Sequence, residues 1–170
     1  MNLLLSDKPY PSDLPENADN MYVDLSVLNI RNCIGCFGCW TKSPGKCVIR
    51  DDAVKIYPLI AKSERLIYVS HIYCGSYDVT MKTMLERAIP VQKAFIRLYH
   101  GETHHVQRAV AEKKAVIIAY GAETNSEKDI FKRLVARNAH NMLFSEWKII
   151  FASEVDVDSL VKREVAEWAN

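Results

Sequence analysis

Four cysteines lie within fifteen residues of this 170-residue chain, at Cys33, Cys36, Cys39 and Cys47. Their spacing is C-x2-C-x2-C-x7-C. Thiolates this close in sequence hold iron–sulfur clusters or metal ions, or cycle between thiol and disulfide. Structural zinc usually takes two well-separated C-x2-C pairs, which this overlapping run does not provide. A tight C-x2-C-x2-C loop is better suited to an iron–sulfur cluster.

The spacing alone leaves two interpretations open: a cluster site, or free thiols packed beside apolar neighbours such as Phe37 and Trp40. On a regular helix, positions three residues apart are rotated by about 60° from one another, so a helix over residues 33–39 could not direct three thiols towards one cluster. Gly35 and Gly38 permit a loop here. A cluster therefore requires that this segment is not a continuous helix.

The composition is that of an ordinary globular protein, with 49% hydrophobic and 25% charged residues. A formal net charge of +1 gives no general attraction to nucleic acid or to an anionic membrane. No run reaches the roughly 18 apolar residues of a membrane span, and the run at residues 3–5 is too short for a signal peptide. We expect a single domain over residues 1–170 in the cytoplasm, where thiols stay reduced.

Short apolar runs alternate with helical patterns, which predicts an α/β domain with a parallel sheet. The strands are expected at residues 3–5, 21–25, 66–70, 115–120 and 147–152. Five strands with helices between them predict a flavodoxin-like, doubly wound sheet of order 2-1-3-4-5 in a three-layer α/β/α arrangement. Ligands of such sheets bind beyond the carboxyl ends of the strands, so the cysteine segment after the second strand opens near that edge.

Four helical patterns follow the second, third, fourth and fifth strands. Asp51 or Asp52 is expected to cap a helix that contains Pro58 and reaches about residue 61. Asp78 is expected to cap a helix with an i, i+3, i+4, i+7 apolar stripe. Ser126 is expected to cap the next helix, and an amphipathic pattern near the C-terminus predicts the last one.

The cysteine segment 33–49 and the pair Asp51–Asp52 resemble the NADPH-dependent FMN reductase group of flavodoxin-like proteins, in particular its iron–sulfur flavoprotein branch. The run 73–77 and residues 85–87 resemble that group's loop and helix after the third strand. The resemblance implies a flavodoxin-like redox protein, either an FMN-dependent NAD(P)H oxidoreductase or an electron-transfer flavoprotein, and a homo-oligomer. It also implies a 4Fe–4S cluster on the four cysteines, as in some members.

The resemblance also implies which residues would contact FMN. Two strand-end loops would line the isoalloxazine ring, through Ser70, His71, Ile72, Tyr73, Gly75, Gly121 and Ala122. The family's phosphate loop and helix are replaced here by residues 6–20, whose three prolines exclude a long helix. Only Ser6, Lys8, Ser12 and a few loop amides then remain as phosphate contacts. The alternative is a family member without flavin that serves as a binding or assembly module, or as a thiol redox sensor.

Three further features carry open interpretations. His104 and His105 could bind a metal together with Glu102, or could lie in a solvated or subunit-interface loop. The segment 90–114 has mixed character, and we expect it to form an oligomer contact. Cys74 is either a reactive thiol at the ligand edge or a small packed hydrophobe. Hydrolase and nucleoside-triphosphatase activities have no supporting motif.

Overall fold

A five-stranded parallel sheet forms the centre of the molecule, which the computed structural model describes over residues 1–169. Its strands are β1 (Asn2–Ser6), β2 (Asn20–Asp24), β3 (Arg65–Tyr73), β7 (Lys113–Tyr120) and β8 (Phe144–Ala152). They run in the order β2-β1-β3-β7-β8, and every neighbouring pair is parallel. The α/β class, the five strands and their order are confirmed.

The third strand is longer than the sequence indicated. It continues past Ser70 to Tyr73 and then pairs with the short antiparallel β4 (Ser76–Tyr77). Cys74 and Gly75 form the two-residue turn, with positive φ angles of 50° and 72°. Left-handed backbone at both turn positions matches the twist of a tight hairpin.

A short helix, α1 (Gly38–Thr41), follows β2 in the chain. Three longer helices, α2 (Ala53–Lys62), α3 (Val79–Glu86) and α4 (Asn125–Met142), cover one face of the sheet. The helix with Pro58 inside it and the Asp78 cap are confirmed. The expected Ser126 cap is wrong, because the Thr124 side chain accepts the Glu127 amide and the Glu127 carboxylate accepts the Thr124 amide. This reciprocal capping box places the start of α4 one residue after Thr124.

The opposite face is covered by α5 (Val157–Ala166) and by the proline-containing segment 7–19. This segment, termed the proline loop, contains no helix, as its prolines predicted. Leu14 of the loop is buried against α5, and Asp13 forms an ion pair with Lys162 at 2.8 Å. The loop therefore covers the sheet where a helix would otherwise pack. None of the helices within residues 1–169 is long and apolar enough to cross a membrane.

The segment 90–114 contains a separate antiparallel hairpin that the sequence prediction missed. Its strands are β5 (Gln92–Tyr99) and β6 (Glu102–Gln107), joined at His100 and Gly101, where φ is 50° and 77°. The amide Nε2 of Gln107 donates to the carbonyl of Asn141 at 3.1 Å. The hairpin is thereby attached to the C-terminal turn of α4.

Candidate functional site

The cysteine loop, residues 29–50, leaves the sheet after β2 and returns at the start of α2. Its only α-helix is the four-residue α1, because Gly35 and Phe37 adopt left-handed backbone with φ of 63° and 53°. The continuous helix that would separate the thiols is therefore not formed. The indole of Trp40 donates to the carbonyl of Gln92 at 3.0 Å, which fixes α1 against the hairpin.

The four thiols of this loop share one patch of the surface. None is in a disulfide; Cys36 is exposed, and Cys33, Cys39 and Cys47 are partly buried. Burial raises the pKa of the Cys39 thiol, and the neighbouring thiols of Cys47, Cys33 and Cys36 raise it further. Within residues 1–169, no three cysteine sulfurs lie within 4.8 Å of one another. A multi-iron cluster tolerates this wider spacing, because each thiolate binds a different iron, so the donor set fits a cluster.

Asp51 and Asp52 close the base of the cysteine loop. The Asp52 carboxylate accepts the amide of Asn29 at 3.0 Å, and the Asp51 carboxylate accepts the amide of Arg31 at 2.9 Å. The Asn29 amide, together with Lys55, lowers the pKa of Asp52. The two carboxylates therefore tie the departing strand of the loop to the N-terminus of α2, where negative charge is also favoured by the helix dipole.

Arg87, which directly follows α3, is the buried anchor of the same loop. Its side chain is 1% exposed and makes a bidentate pair with Asp51, at 2.6 and 2.9 Å. It also donates to the carbonyl of Arg31 at 2.7 Å and contacts the sulfur of Cys47 at 3.4 Å. Burial alone would lower the pKa of Arg87, but Asp51 and Cys47 outweigh burial and raise it. One permanent cation thus holds both ends of the loop and faces a cysteine sulfur.

A second polar group lies at the carboxyl ends of β1, β3 and β7. One oxygen of Asp7 accepts the amide of His71 at 2.6 Å, and the other accepts the hydroxyl of Tyr120 at 2.8 Å. Burial raises the pKa of Asp7, although these two hydrogen bonds oppose it. The imidazole of His71 lies directly over Gly121, where an added Cβ would stand 2.2 Å from Nε2. These residues form one closed hydrogen-bonded group at the ligand edge of the sheet.

Of the seven residues expected to line the isoalloxazine ring, four are accessible and three are buried. Four of them are at least partly exposed at the strand ends: His71, Tyr73, Gly121 and Ala122. Three are buried: Ser70, Ile72 and Gly75. The buried set can meet a ligand only through backbone atoms, since an added Cβ on Gly75 would already lie 2.7 Å from the side chain of Ile130.

The three expected phosphate contacts do not form a cradle. Ser6 is 1% exposed, and its hydroxyl accepts the amide of Lys8 at 3.2 Å. The Lys8 ammonium lies 3.6 Å from a carboxylate oxygen of Glu154, and Ser12 is exposed on the proline loop. No helix begins between β1 and β2, so the free N–H groups that usually bind phosphate are missing there. The phosphate end of FMN therefore does not fit these residues.

The two adjacent histidines of β6 point to opposite sides, as successive residues of a strand do. His104 is buried and contacts Glu102, whereas the His105 ring packs on Trp40 with 4.7 Å between centroids. They cannot bind one metal ion together. Cys74 is exposed at the β3–β4 turn, outside the cysteine loop. Two residues that matter in these sites, Arg87 and Asp7, were not singled out by the sequence patterns for the roles they have.

Comparison with known proteins identifies relatives for part of the chain. No family model matches it. It is 38% identical over 68 residues to an iron–sulfur flavoprotein of Clostridioides difficile, covering 39% of this chain and 29% of that protein. It is 35% identical over 68 residues to an iron–sulfur flavoprotein of Archaeoglobus fulgidus, covering 40% and 30%. A third such flavoprotein, from Methanocaldococcus jannaschii, is 29% identical over 80 residues, covering 47% and 40%. The matched segment thus spans well under half the length of these relatives.

Solved structures extend the likeness to the whole fold. An FMN-dependent NADH-azoreductase of Bacillus anthracis, solved with FMN, aligns over 99% of this chain and 98% of its own, with a TM-score of 0.57 and 12% identity. The azoreductase AzrA aligns over 98% and 93%, with a TM-score of 0.61 and 8% identity. At such identities the likeness shows the flavodoxin-like fold. The local sequence matches add a similarity to iron–sulfur flavoproteins over part of the chain.

Proposed function

We propose that this protein is a redox protein whose cysteine loop holds an iron–sulfur cluster and whose strand ends bind the ring of FMN. The observation that carries the proposal is the patch of four thiols, fastened at its base by Asp51 and Arg87. The matched relatives are named as iron–sulfur flavoproteins, which supports the same assignment. A bound cluster would supply single-electron transfer.

Arg87 has a defined task in this assignment. Its guanidinium lies 3.4 Å from the sulfur of Cys47 and carries a permanent positive charge. A hydrogen-bond donor this close to a sulfur would donate to that ligand of a bound cluster. Hydrogen bonds to the ligating sulfurs also set the reduction potential of a cluster. Arg87 therefore positions the loop and would donate a hydrogen bond to one ligand of the cluster.

The flavin assignment uses the exposed strand-end residues. His71, Tyr73 and Gly121 border the edge where ligands of doubly wound sheets bind. The solved azoreductase with FMN has this fold, which supports FMN as the cofactor. FMN would supply hydride exchange with a nicotinamide donor, and NAD(P)H is the proposed donor because the azoreductase solved with FMN is named as NADH-dependent. Binding would rest on the ring, since the residues after β1 provide no phosphate cradle.

The cluster is tested by iron and sulfide analysis of protein purified without oxygen. We expect iron and acid-labile sulfide in the wild type, and their loss in Cys36→Ser. Cys74→Ser is the matched control, because Cys74 is equally exposed but lies outside the cysteine loop. A wild type that binds no iron even after reconstitution would overturn the cluster, as would equal iron in the two variants.

The flavin is tested by titrating the protein with FMN and with riboflavin, followed by flavin fluorescence. Because the chain provides no phosphate cradle, we expect the two dissociation constants to agree within about threefold. FMN binding that is 100-fold tighter, equivalent to about 2.7 kcal/mol, would show that a phosphate site exists after all. No binding of either flavin would remove FMN from the proposal and leave the cluster standing.

We further propose that the protein is a homo-oligomer and is located in the cytoplasm. The hairpin exposes Phe95, Ile96 and Leu98, at 74%, 64% and 78% of their surface. Three neighbouring exposed apolar side chains are typical of a protein–protein contact, and a second copy of this chain is the proposed partner. Light scattering should give at least the mass of a dimer for the wild type and that of a monomer for Phe95→Lys with Leu98→Lys. A monomeric wild type would contradict this part.

A further inference from the structure

The hairpin and α4 bring three metal-binding side chains together at a place remote from the cysteine loop. Glu102 and His104 are two residues apart on β6 and therefore project from the same face of the strand. His140 lies in the last turn of α4. One ligand atom from each of the three residues lies within 4.8 Å of the others. The distance from Oε2 of Glu102 is 2.9 Å to Nε2 of His104 and 3.4 Å to Nδ1 of His140.

The His104 ring is held as a metal-ligating imidazole usually is, and the His140 ring has an unpartnered nitrogen. Nδ1 of His104 lies 3.0 Å from the amide oxygen of Asn141. A proton on Nδ1, donated to that oxygen, leaves the Nε2 lone pair directed at Glu102; a second-sphere acceptor of this kind is how proteins fix metal-ligating histidines. Nδ1 of His140 is buried and has no hydrogen-bond partner. A cation between these nitrogens and the carboxylate would satisfy all three groups.

We propose that Glu102, His104 and His140 form a binding site for one divalent transition-metal ion, with zinc as the best match. Two imidazole nitrogens and one carboxylate oxygen are a common zinc ligand set, with the fourth position left to water or another ligand. Magnesium and calcium prefer oxygen ligands and fit poorly. The inference does not rest on the proposed redox function, because none of these residues belongs to the cysteine loop or to the strand-end group.

The ion would join the hairpin to α4. The hairpin's other polar contacts with this helix include those from Gln107 and Gln92 to carbonyls of its last turn. Arg137 contacts the second oxygen of Glu102 and so competes with a bound cation for that carboxylate. Its side chain is 66% exposed and can turn into solvent. Replacing Arg137 should therefore tighten metal binding. No such effect is expected if Glu102, His104 and His140 only hold the hairpin against α4 and bind no metal.

Cysteine thiolates in general can bind zinc, so the experiment must distinguish this site from the cysteine loop. Two-bond ¹H–¹⁵N spectra of the histidine rings of the full chain, titrated with Zn²⁺, report only on imidazoles. We expect one equivalent to shift the ring nitrogens of His104 and His140 while those of His71 and His105 stay in place. His105 lies on the same strand but faces Trp40, so it is the internal control.

Variants give the second test, with free Zn²⁺ set by a chelator buffer and affinity read from the same ring signals. Glu102→Gln should weaken zinc binding at least tenfold, Arg137→Gln should tighten it at least threefold, and His105→Gln should leave it unchanged. Zinc that shifts no histidine ring signal in the wild type would overturn the proposal. Equal zinc affinities in Glu102→Gln, Arg137→Gln and the wild type would also overturn the proposal. A variant that folds poorly would lose affinity, so poor folding of one variant cannot produce this equality.

Discussion

The buried pair of Arg87 and Asp51 gives the sharpest stability prediction. Their side chains are 1% and 4% exposed, and two hydrogen bonds join them. Replacing Arg87 by Met would leave a buried carboxylate without its counter-charge and the carbonyls of Arg31 and Ile49 without a donor. Breaking a buried ion pair by removing one partner costs about 3–5 kcal/mol. We expect Arg87→Met to lower the free energy of unfolding by that amount at pH 7.

The assay is urea denaturation of the reduced, metal-free chain with linear extrapolation. Lys82→Met is the matched control, because Lys82 pairs with Glu86 on the exposed side of the same helix and should contribute less than about 1 kcal/mol. Adding Asp51→Asn to Arg87→Met removes the unpaired charge and should recover part of the loss. A loss below about 1 kcal/mol for Arg87→Met would refute the reasoning.

The stability that the Arg87–Asp51 pair contributes depends on pH, and the pKa of Asp51 gives the direction of this dependence. Burial opposes ionisation of Asp51, but Arg87 and the Arg31 amide outweigh burial and hold its pKa below the usual value of 3.8. A carboxyl whose pKa is lowered on folding contributes stability above the pKa of the unfolded chain, and loses it as pH falls through the folded pKa. The difference in stability between the wild type and Arg87→Met should therefore shrink below about pH 4.

Three further predictions concern single residues. Thr124→Ala should destabilise the fold by about 1 kcal/mol in urea denaturation, and Ser126→Ala by less than about 0.5, because only Thr124 caps α4; equal losses would contradict this. Gly121→Ala should lower the melting temperature well below that of Gly101→Ala, since φ is positive at both but an added Cβ meets a histidine ring only at Gly121. Burial lowers the pKa of Lys113 from 10.5 to about 8. At Lys113 the unfolded chain then binds more protons between those pH values, so the stability of the wild type relative to Lys113→Met should rise by about 3 kcal/mol from pH 8 to 10.5 in urea denaturation.

The parallel sheet was predictable chiefly because its three central strands, β1, β3 and β7, are mostly buried on both faces. Residues 3–5 are fully buried, and such strands appear in a sequence as continuous apolar runs. The hairpin was missed because most of its side chains are partly or fully exposed and its register shifts between Gln92 and Ile96. The two residues His100-Gly101 between its strands were the available signal. Likewise, Thr124 with Glu127 three positions later is a capping-box signature that identifies the true cap.

The sites were predictable only where their residues are close in sequence. The cysteine spacing and the Asp51–Asp52 pair are local, and both are visible without a structure. Arg87 meets Asp51 across 36 positions, and His104 meets Asn141 across 37. No periodicity in the chain encodes such contacts, because they depend on how α3 and α4 pack on the sheet. The same holds for Asp7, whose partner Tyr120 is 113 positions away.

The two segments expected to hold cofactors, the cysteine loop and the proline loop, pack on opposite faces of the sheet. The cysteine loop is fastened to α2 and α3, whose apolar residues form one core with Cys47 packed against it. The proline loop belongs to the other core, with α5. Where the fold family places a phosphate-binding helix, this chain has a buried carboxylate, Asp7, already held by two donors. A phosphate dianion there would face Asp7 without free amides to bind it. The redox chemistry proposed for this chain would therefore depend chiefly on the cysteine loop, and any flavin would bind mainly through its ring.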